Sequence, residues 1–168
     1  GLLLPTVKDL YPDAKVLMCV RDIGWIIDSF EVLHRKNPYS YSRIFTPEEN
    51  INVYTRAEAL LKNDSTLGFA YNSLKQAITG EHKNSIMVIE YDHLVKNPEV
   101  ILKAIYNFIN EPYFPHDFND VEASYDEFDD EVQLPGLHTT RKKVEYIERQ
   151  TILPPDIWNR VNGMEVWK

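Results

Sequence analysis

The sequence predicts a helix-rich α/β fold built on a parallel sheet. Two apolar runs of strand length, residues 16–20 (VLMCV) and 85–90 (SIMVIE), are each followed by a segment with helical spacing of apolar residues. Helices also fill the interval between the two runs, and strand, helices, strand, helix is the order of parallel strands joined by crossovers. The first run shows no alternation of polar and apolar residues, which suits a strand covered on both faces. That expectation places the single cysteine, Cys19, in a buried strand.

Taken in order, residues 4–11 read as a short helix or the end of one, closed by the turn Tyr11-Pro12-Asp13. The first strand ends in Arg21. Asp22 can cap the helix that follows, and Ile23, Ile26, Ile27, Phe30 and Leu33 fall at helical spacing to form its buried stripe. Ser29 lies off that stripe, so the core does not need its hydroxyl. Residues 35–47 carry two prolines and read as a surface loop, a length more typical of a lid than of a plain connector. Its Tyr39, Tyr41 and Phe45 either wall a substrate pocket or pack the loop onto its own domain.

Thr46-Pro47-Glu48-Glu49 has the chemistry of a helix start, with a capping threonine, proline at the first position and acids in the first turn. One or two helices are expected from there to about Ile78, with a break near 63–65 and a glycine stop at Gly80. After the second strand and Tyr91-Asp92, Asn97-Pro98-Glu99 starts another helix. Its core face is expected to be Val100, Ile101, Ala104, Ile105 and Phe108. Residues 111–133 are rich in proline, aromatics and acid, and the acidic run 126–131 reads as a solvated loop. The dense basic cluster LPGLHTTRKK (134–143) follows, then a last helix near 155–162 packed through Ile157, Trp158 and Val161. No repeat or linker marks a second domain, so residues 1–168 are expected to form a single, partial domain.

Composition limits the function classes. A chain of 168 residues can bury a sizeable core. No run of about 18 apolar residues is present to span a bilayer, and Leu2–Leu4 is too short for a signal-peptide core. Gly1 in place of an initiator methionine suggests that natural sequence lies upstream. One cysteine excludes an intrachain disulfide and fits a reducing, cytoplasmic setting. A formal net charge of −8 argues against nucleic-acid binding, whereas a small anion needs only a local basic cluster. The five histidines and the cysteine show no metal-ligand spacing.

Arg21 is the first candidate ligand for such an anion. It stands at the carboxyl end of a strand, where ligands of open α/β sheets bind, and just ahead of a helix N-terminus. Taken alone, the residue reads more readily as the partner of a surface carboxylate, and Ser29 as a solvated hydroxyl.

Three segments together resemble a known family. YPDAKVLMCVRDIGWIIDS resembles the 3′-phosphate-binding segment of sulfotransferases that use 3′-phosphoadenosine 5′-phosphosulfate (PAPS), in which a strand ends in Arg-Asp and a serine follows the arginine by eight positions. VIEYDHLVKNPEVILKAIYNFIN is similar to the family's second block, a strand ending in Tyr-Glu-Asp-Leu before a proline-started helix. LPGLHTTRKKV looks like the late basic loop that closes over the nucleotide. The resemblance implies a P-loop-kinase-like parallel sheet covered by helices, incomplete here. It assigns Arg21 and Ser29 to the ribose 3′-phosphate, a role suited to a guanidinium fork and a hydroxyl. It adds Arg141, Lys142 and Lys143 from the late loop and places Tyr91 against the adenine. His138 reads either as a ligand-side residue or as a loop histidine satisfied by backbone.

The chain departs from the family pattern in two respects. Ile23 replaces the proline after Arg-Asp, and residues 1–15 contain no glycine loop with a lysine to cradle the phosphosulfate. The family's base lies ahead of the Arg…Ser block, whereas His34, His82, His93, His116 and His138 all follow Arg21. The expectation is therefore the C-terminal part of a sulfotransferase, inactive alone, needing no metal, and serving a small-molecule, carbohydrate or lipid acceptor. Two other readings remain open: a non-catalytic binding or assembly module, with a second copy supplying a partner strand in a homodimer, and a nucleotide-kinase relative.

Overall fold

The computed structural model describes residues 3–40, 43–123 and 125–168. Its elements run α1 (Leu4–Leu10), β1 (Val16–Val20), α2 (Ile23–Lys36), α3 (Val53–Leu61), α4 (Thr66–Thr79), β2 (Ile86–Glu90), α5 (Tyr91–Lys96), α6 (Pro98–Ile109), α7 (Asp126–Glu131) and α8 (Pro155–Val161). A single 3₁₀ turn at Lys83–Ser85 leads into β2. The chain divides into two compact units, the first Gly1–Arg21, Asn63–His116 and Glu165–Lys168, the second Asp22–Lys62 and Asp117–Met164.

In the first unit β1 and β2 pair in parallel, with Val16 opposite Ile86 and Val20 opposite Glu90. The α/β expectation holds. Leu4, Val20, Leu67, Leu74, Ala77, Ile89 and Ile105 form this unit's core. The Ser65 hydroxyl accepts from the Gly68 N–H at 3.0 Å and starts α4 where the break was expected. Two expectations fail here. Leu17 and Cys19 are exposed, so β1 is not covered on both faces: alternate strand residues point to opposite sides, and packing reaches only one of them. Val100 and Ala104 are exposed as well, and Ile105 is the buried residue of α6. The apolar stripe of α6 is wider than the surface that β2 and α5 offer it.

The second unit is organised on α2. The Asp22 carboxylate accepts from the Trp25 N–H at 3.0 Å, the cap expected from the sequence. Ile23 and Ile27 are buried in a core with Ala57, Leu60, Leu153, Ile157 and Val161. Gly24 sits under the indole of Trp158, and a Cβ added there would lie 2.8 Å from Trp158 Cζ3. Beside this contact Trp25 meets Trp158 edge-on with centroids 4.7 Å apart.

The same helix buries two carboxylates that the apolar spacing did not foretell, Asp28 and Glu31. Arg56 of α3 grips Glu31 with two bonds, Nε to Oε2 at 2.9 Å and Nη2 to Oε1 at 3.0 Å. Arg35 adds a third bond at 2.8 Å. Burial pushes the Glu31 carboxyl up, but the hydrogen bonds and charges of Arg56 and Arg35 outweigh it and hold the group below its ordinary value.

Helix α3 starts later than the Thr46 signal implied. The reciprocal bonds of a capping box do form, from the Thr46 N–H to Glu49 Oε2 at 2.9 Å and from the Glu49 N–H to the Thr46 hydroxyl at 3.3 Å. They close only a turn, because Asn52 turns extended (φ −153°) and makes a second capping box with Thr55. In the preceding loop Tyr39 is 96% exposed and walls nothing, whereas Phe45 lines an interior gap beside Glu31 and Leu60. Tyr41 lies outside the described residues. The acidic run 126–131, expected as a solvated loop, is the short helix α7 with Asp129 buried.

Two tests follow from this packing. Gly24→Ala must displace the Trp158 ring and is expected to destabilise the second unit by about 1–3 kcal/mol in chemical denaturation. Arg56→Ala strands the Glu31 carboxylate and is expected to cost about 3–5 kcal/mol. Because the folded-state value of Glu31 is lowered, its stabilisation is present above the unfolded value and is lost as pH falls through the folded one. Glu31→Gln should therefore flatten the acid limb of a stability–pH curve; an unchanged limb would contradict the pairing.

Candidate functional site

Parallel pairing sets one candidate cluster within the first unit. Val20 and Glu90 are register partners, so the next residues, Arg21 and Tyr91, leave the carboxyl edge of the sheet side by side. The Arg21 guanidinium stacks over the Tyr91 ring with Cζ 4.4 Å from the centroid. Stacking holds the fork flat and leaves its edge N–H groups directed away from the ring. Two residues 70 positions apart in the chain are thus brought into contact.

The second unit carries a separate cluster around Ser29. The Ser29 hydroxyl donates to the Trp25 carbonyl at 2.8 Å and accepts from Arg149 Nη2 at 3.0 Å. Arg149 Nη2 also donates to the Trp25 carbonyl at 3.2 Å and lies 3.3 Å from Asp28 Oδ2, with its guanidinium 4.8 Å above the Trp25 ring. Asp28 draws in the segment around Arg149: its Oδ1 accepts from the Thr151 hydroxyl at 2.8 Å and from the Ile152 N–H at 2.7 Å. A pocket of about 310 Å³ opens here, lined on its polar side by Ser29, Lys36, Arg141 and Arg149.

The late basic segment is held against residues 118–123 by backbone bonds, Val121 N–H to the Lys142 carbonyl at 2.7 Å and Val144 N–H to the Phe118 carbonyl at 2.8 Å. Its start is anchored by buried Asp129, whose carboxylate accepts from the Gly136 N–H at 3.0 Å and from the His138 N–H at 3.2 Å, and meets His138 Nδ1 at 2.6 Å. Burial raises the Asp129 carboxyl, but the bonds from His138 and Gly136 prevail and hold it below its ordinary value. His138 is thus satisfied by a carboxylate rather than by backbone carbonyls. Arg141, Lys142 and Lys143 are all exposed; Arg141 lines the Ser29 pocket, and Lys143 pairs with Glu145 at 2.8 Å.

A protein-family model described as "Sulfotransferase family" matches residues 2–115, more than half of the chain. The chain belongs to the sulfotransferase family. The matched span carries Arg21, Ser29 and Tyr91, while Arg141, Lys142 and Lys143 lie beyond it. A search of curated proteins found no match. Membership gives the chain the P-loop-like α/β fold of the family and places it, at family level, among enzymes of sulfuryl transfer.

Among the described residues no three His, Cys, Asp or Glu side chains converge as a metal site, and no helix is long and apolar enough to cross a membrane. Arg149, Lys36, Asp28 and Asp129 escaped sequence reasoning. For Asp28 and Glu31 a signal existed: polar residues directly beside the apolar stripe of α2 need partners once the helix is packed. Arg149 had none, since it sits outside every motif.

Asp129→Ala removes the acceptor for three donors around residues 136–138. Limited proteolysis should then cut the basic segment faster than in the unaltered chain, and equal cleavage rates would show that the anchor is dispensable.

Proposed function

We propose that the chain supplies the 3′-phosphate and adenine side of a PAPS-dependent sulfotransferase. The observation that carries this reading is Arg21 stacked on Tyr91 at the carboxyl ends of two parallel strands, inside the family-matched span. Arg21 and Ser29, eight positions apart, are assigned to the ribose 3′-phosphate, and Tyr91 to the adenine. Arg141 and Lys142 contribute positive charge from the late loop, with Lys143 as a further cation. A guanidinium edge and a hydroxyl are the donors a phosphate dianion needs, and no metal is required for that contact.

In the full reaction an acceptor oxygen or nitrogen attacks sulfur in line. The new bond to sulfur forms as the bond from sulfur to the bridging phosphate oxygen breaks, and the nucleotide 3′,5′-bisphosphate leaves. The acceptor proton passes to a general base. No residue of this chain is assigned as that base or as the lysine that steadies the leaving phosphate, so the chain alone is expected to bind nucleotide without turnover. The acceptor is a small molecule, carbohydrate or lipid bearing a hydroxyl or amine.

Calorimetric titration with 3′-phosphoadenosine 5′-phosphate tests the reading. Loss of one charge-assisted phosphate contact, about 1.5–3 kcal/mol, predicts that Arg21→Ala weakens binding roughly 10- to 100-fold. Ser29→Ala should weaken it less. Binding unchanged in both variants would remove the assignment.

A further inference from the structure

We infer that Arg149 is a direct phosphate ligand in the Ser29 pocket, and that it, rather than the serine alone, gives the pocket its preference for a phosphorylated group. The inference deepens the proposed nucleotide reading and rests on it for the identity of the natural ligand. Its grounds are charge, geometry and the pocket wall.

The chain has a net charge of −8, yet three cations, Lys36, Arg141 and Arg149, line this one pocket. No carboxylate lines it among the described residues. Asp28 neutralises one unit of charge from behind, through its 3.3 Å contact with Arg149, and its own position is fixed by Thr151 and Ile152. The remaining excess of positive charge suits an anion of two charges.

Arg149 is the cation best placed to receive it. Its side chain is 29% exposed and is clamped by the Trp25 ring, the Trp25 carbonyl and Asp28, so little rotamer freedom is left to lose on binding. All of its polar contacts use Nη2; Nη1 and Nε remain as donors for a ligand. Nη2 donates to the Ser29 hydroxyl at 3.0 Å and so fixes the guanidinium at the Ser29 wall of the pocket, leaving the phosphate to Nη1 and Nε. Lys36 and Arg141 supply longer-range attraction from the pocket rim. Phe30 and Leu33 form an apolar wall, and a volume of about 310 Å³ leaves room beyond the anion for an organic group such as a ribose.

The test uses the whole chain in three forms, unaltered, Arg149→Ala and Lys103→Ala, the last a surface cation outside the pocket. Thermal unfolding is followed with inorganic phosphate against chloride at equal ionic strength, and 3′-phosphoadenosine 5′-phosphate is titrated by calorimetry. Phosphate should raise the melting temperature of the unaltered chain and of Lys103→Ala but not of Arg149→Ala. The nucleotide dissociation constant should rise at least tenfold in Arg149→Ala alone. If Arg149→Ala does not fold, Arg149→Gln takes its place, keeping an amide donor for the Trp25 carbonyl without the charge.

Equal phosphate shifts and nucleotide affinities in all three forms would overturn the role of Arg149 while leaving nucleotide binding in place. An Arg149-dependent phosphate shift with no tighter binding of the nucleotide would uphold the ligand role and sink the nucleotide reading. No response of the unaltered chain to either probe would sink both.

Discussion

A buried carboxylate on α2 sets the terms for the second unit. Asp28 cannot be taken out of water without partners, and it finds two donors in the Thr151 hydroxyl and the Ile152 N–H and a counter-charge in Arg149, all more than 120 positions away in the chain. One turn along, Glu31 makes the same demand and is answered by Arg56 and Arg35. Hydrophobic area draws α3, α8 and the C-terminal segment onto α2, but area has little direction. The two carboxylates supply direction, because a register shift would leave a buried charge unpaired. The close fit of Gly24 beneath Trp158 is compatible with one placement of α8 only.

The same constraint reaches the ligand-facing side. Asp28 faces inward and takes bonds from the segment that carries Arg149, and Arg149 in turn reaches the Ser29 hydroxyl on the outward side of the helix. A fold contact and a pocket donor are thus two ends of one guanidinium. Asp129 plays a comparable part for the late loop, where a buried acid fixes Gly136 and His138 and so sets where the exposed cations that follow begin. An acidic chain can hold a basic pocket in this way: several of its carboxylates are consumed inside, behind the arginines they orient.

In the first unit the ordering principle is the sheet. Parallel pairing with Val20 opposite Glu90 makes Arg21 and Tyr91 neighbours with no further device, and their stacking follows from adjacency. Only one side of β1 is packed, and Leu17, Cys19, Val100 and Ala104 stay exposed. Each belongs to a run that reads as core by composition, which shows that an apolar side chain needs an opposing surface before it is buried.

What the sequence determined by itself was local or motif-borne. The strand at 16–20, the Asp22 cap, the breaks at Ser65 and Gly80, the proline-started helices and the family likeness around Arg21 and Tyr91 all rest on residues close together in the chain. Spacing and capping chemistry express those features without help from distant segments. Tertiary structure decided which apolar faces were covered, where α3 began once Asn52 competed with Thr46, and that Asp28, Glu31 and Asp129 would be buried. It also decided that Arg149 would meet Ser29. Each of these outcomes depends on a partner from elsewhere in the chain, and neither hydrophobic period nor motif spacing carries information about which distant donor answers a buried acid.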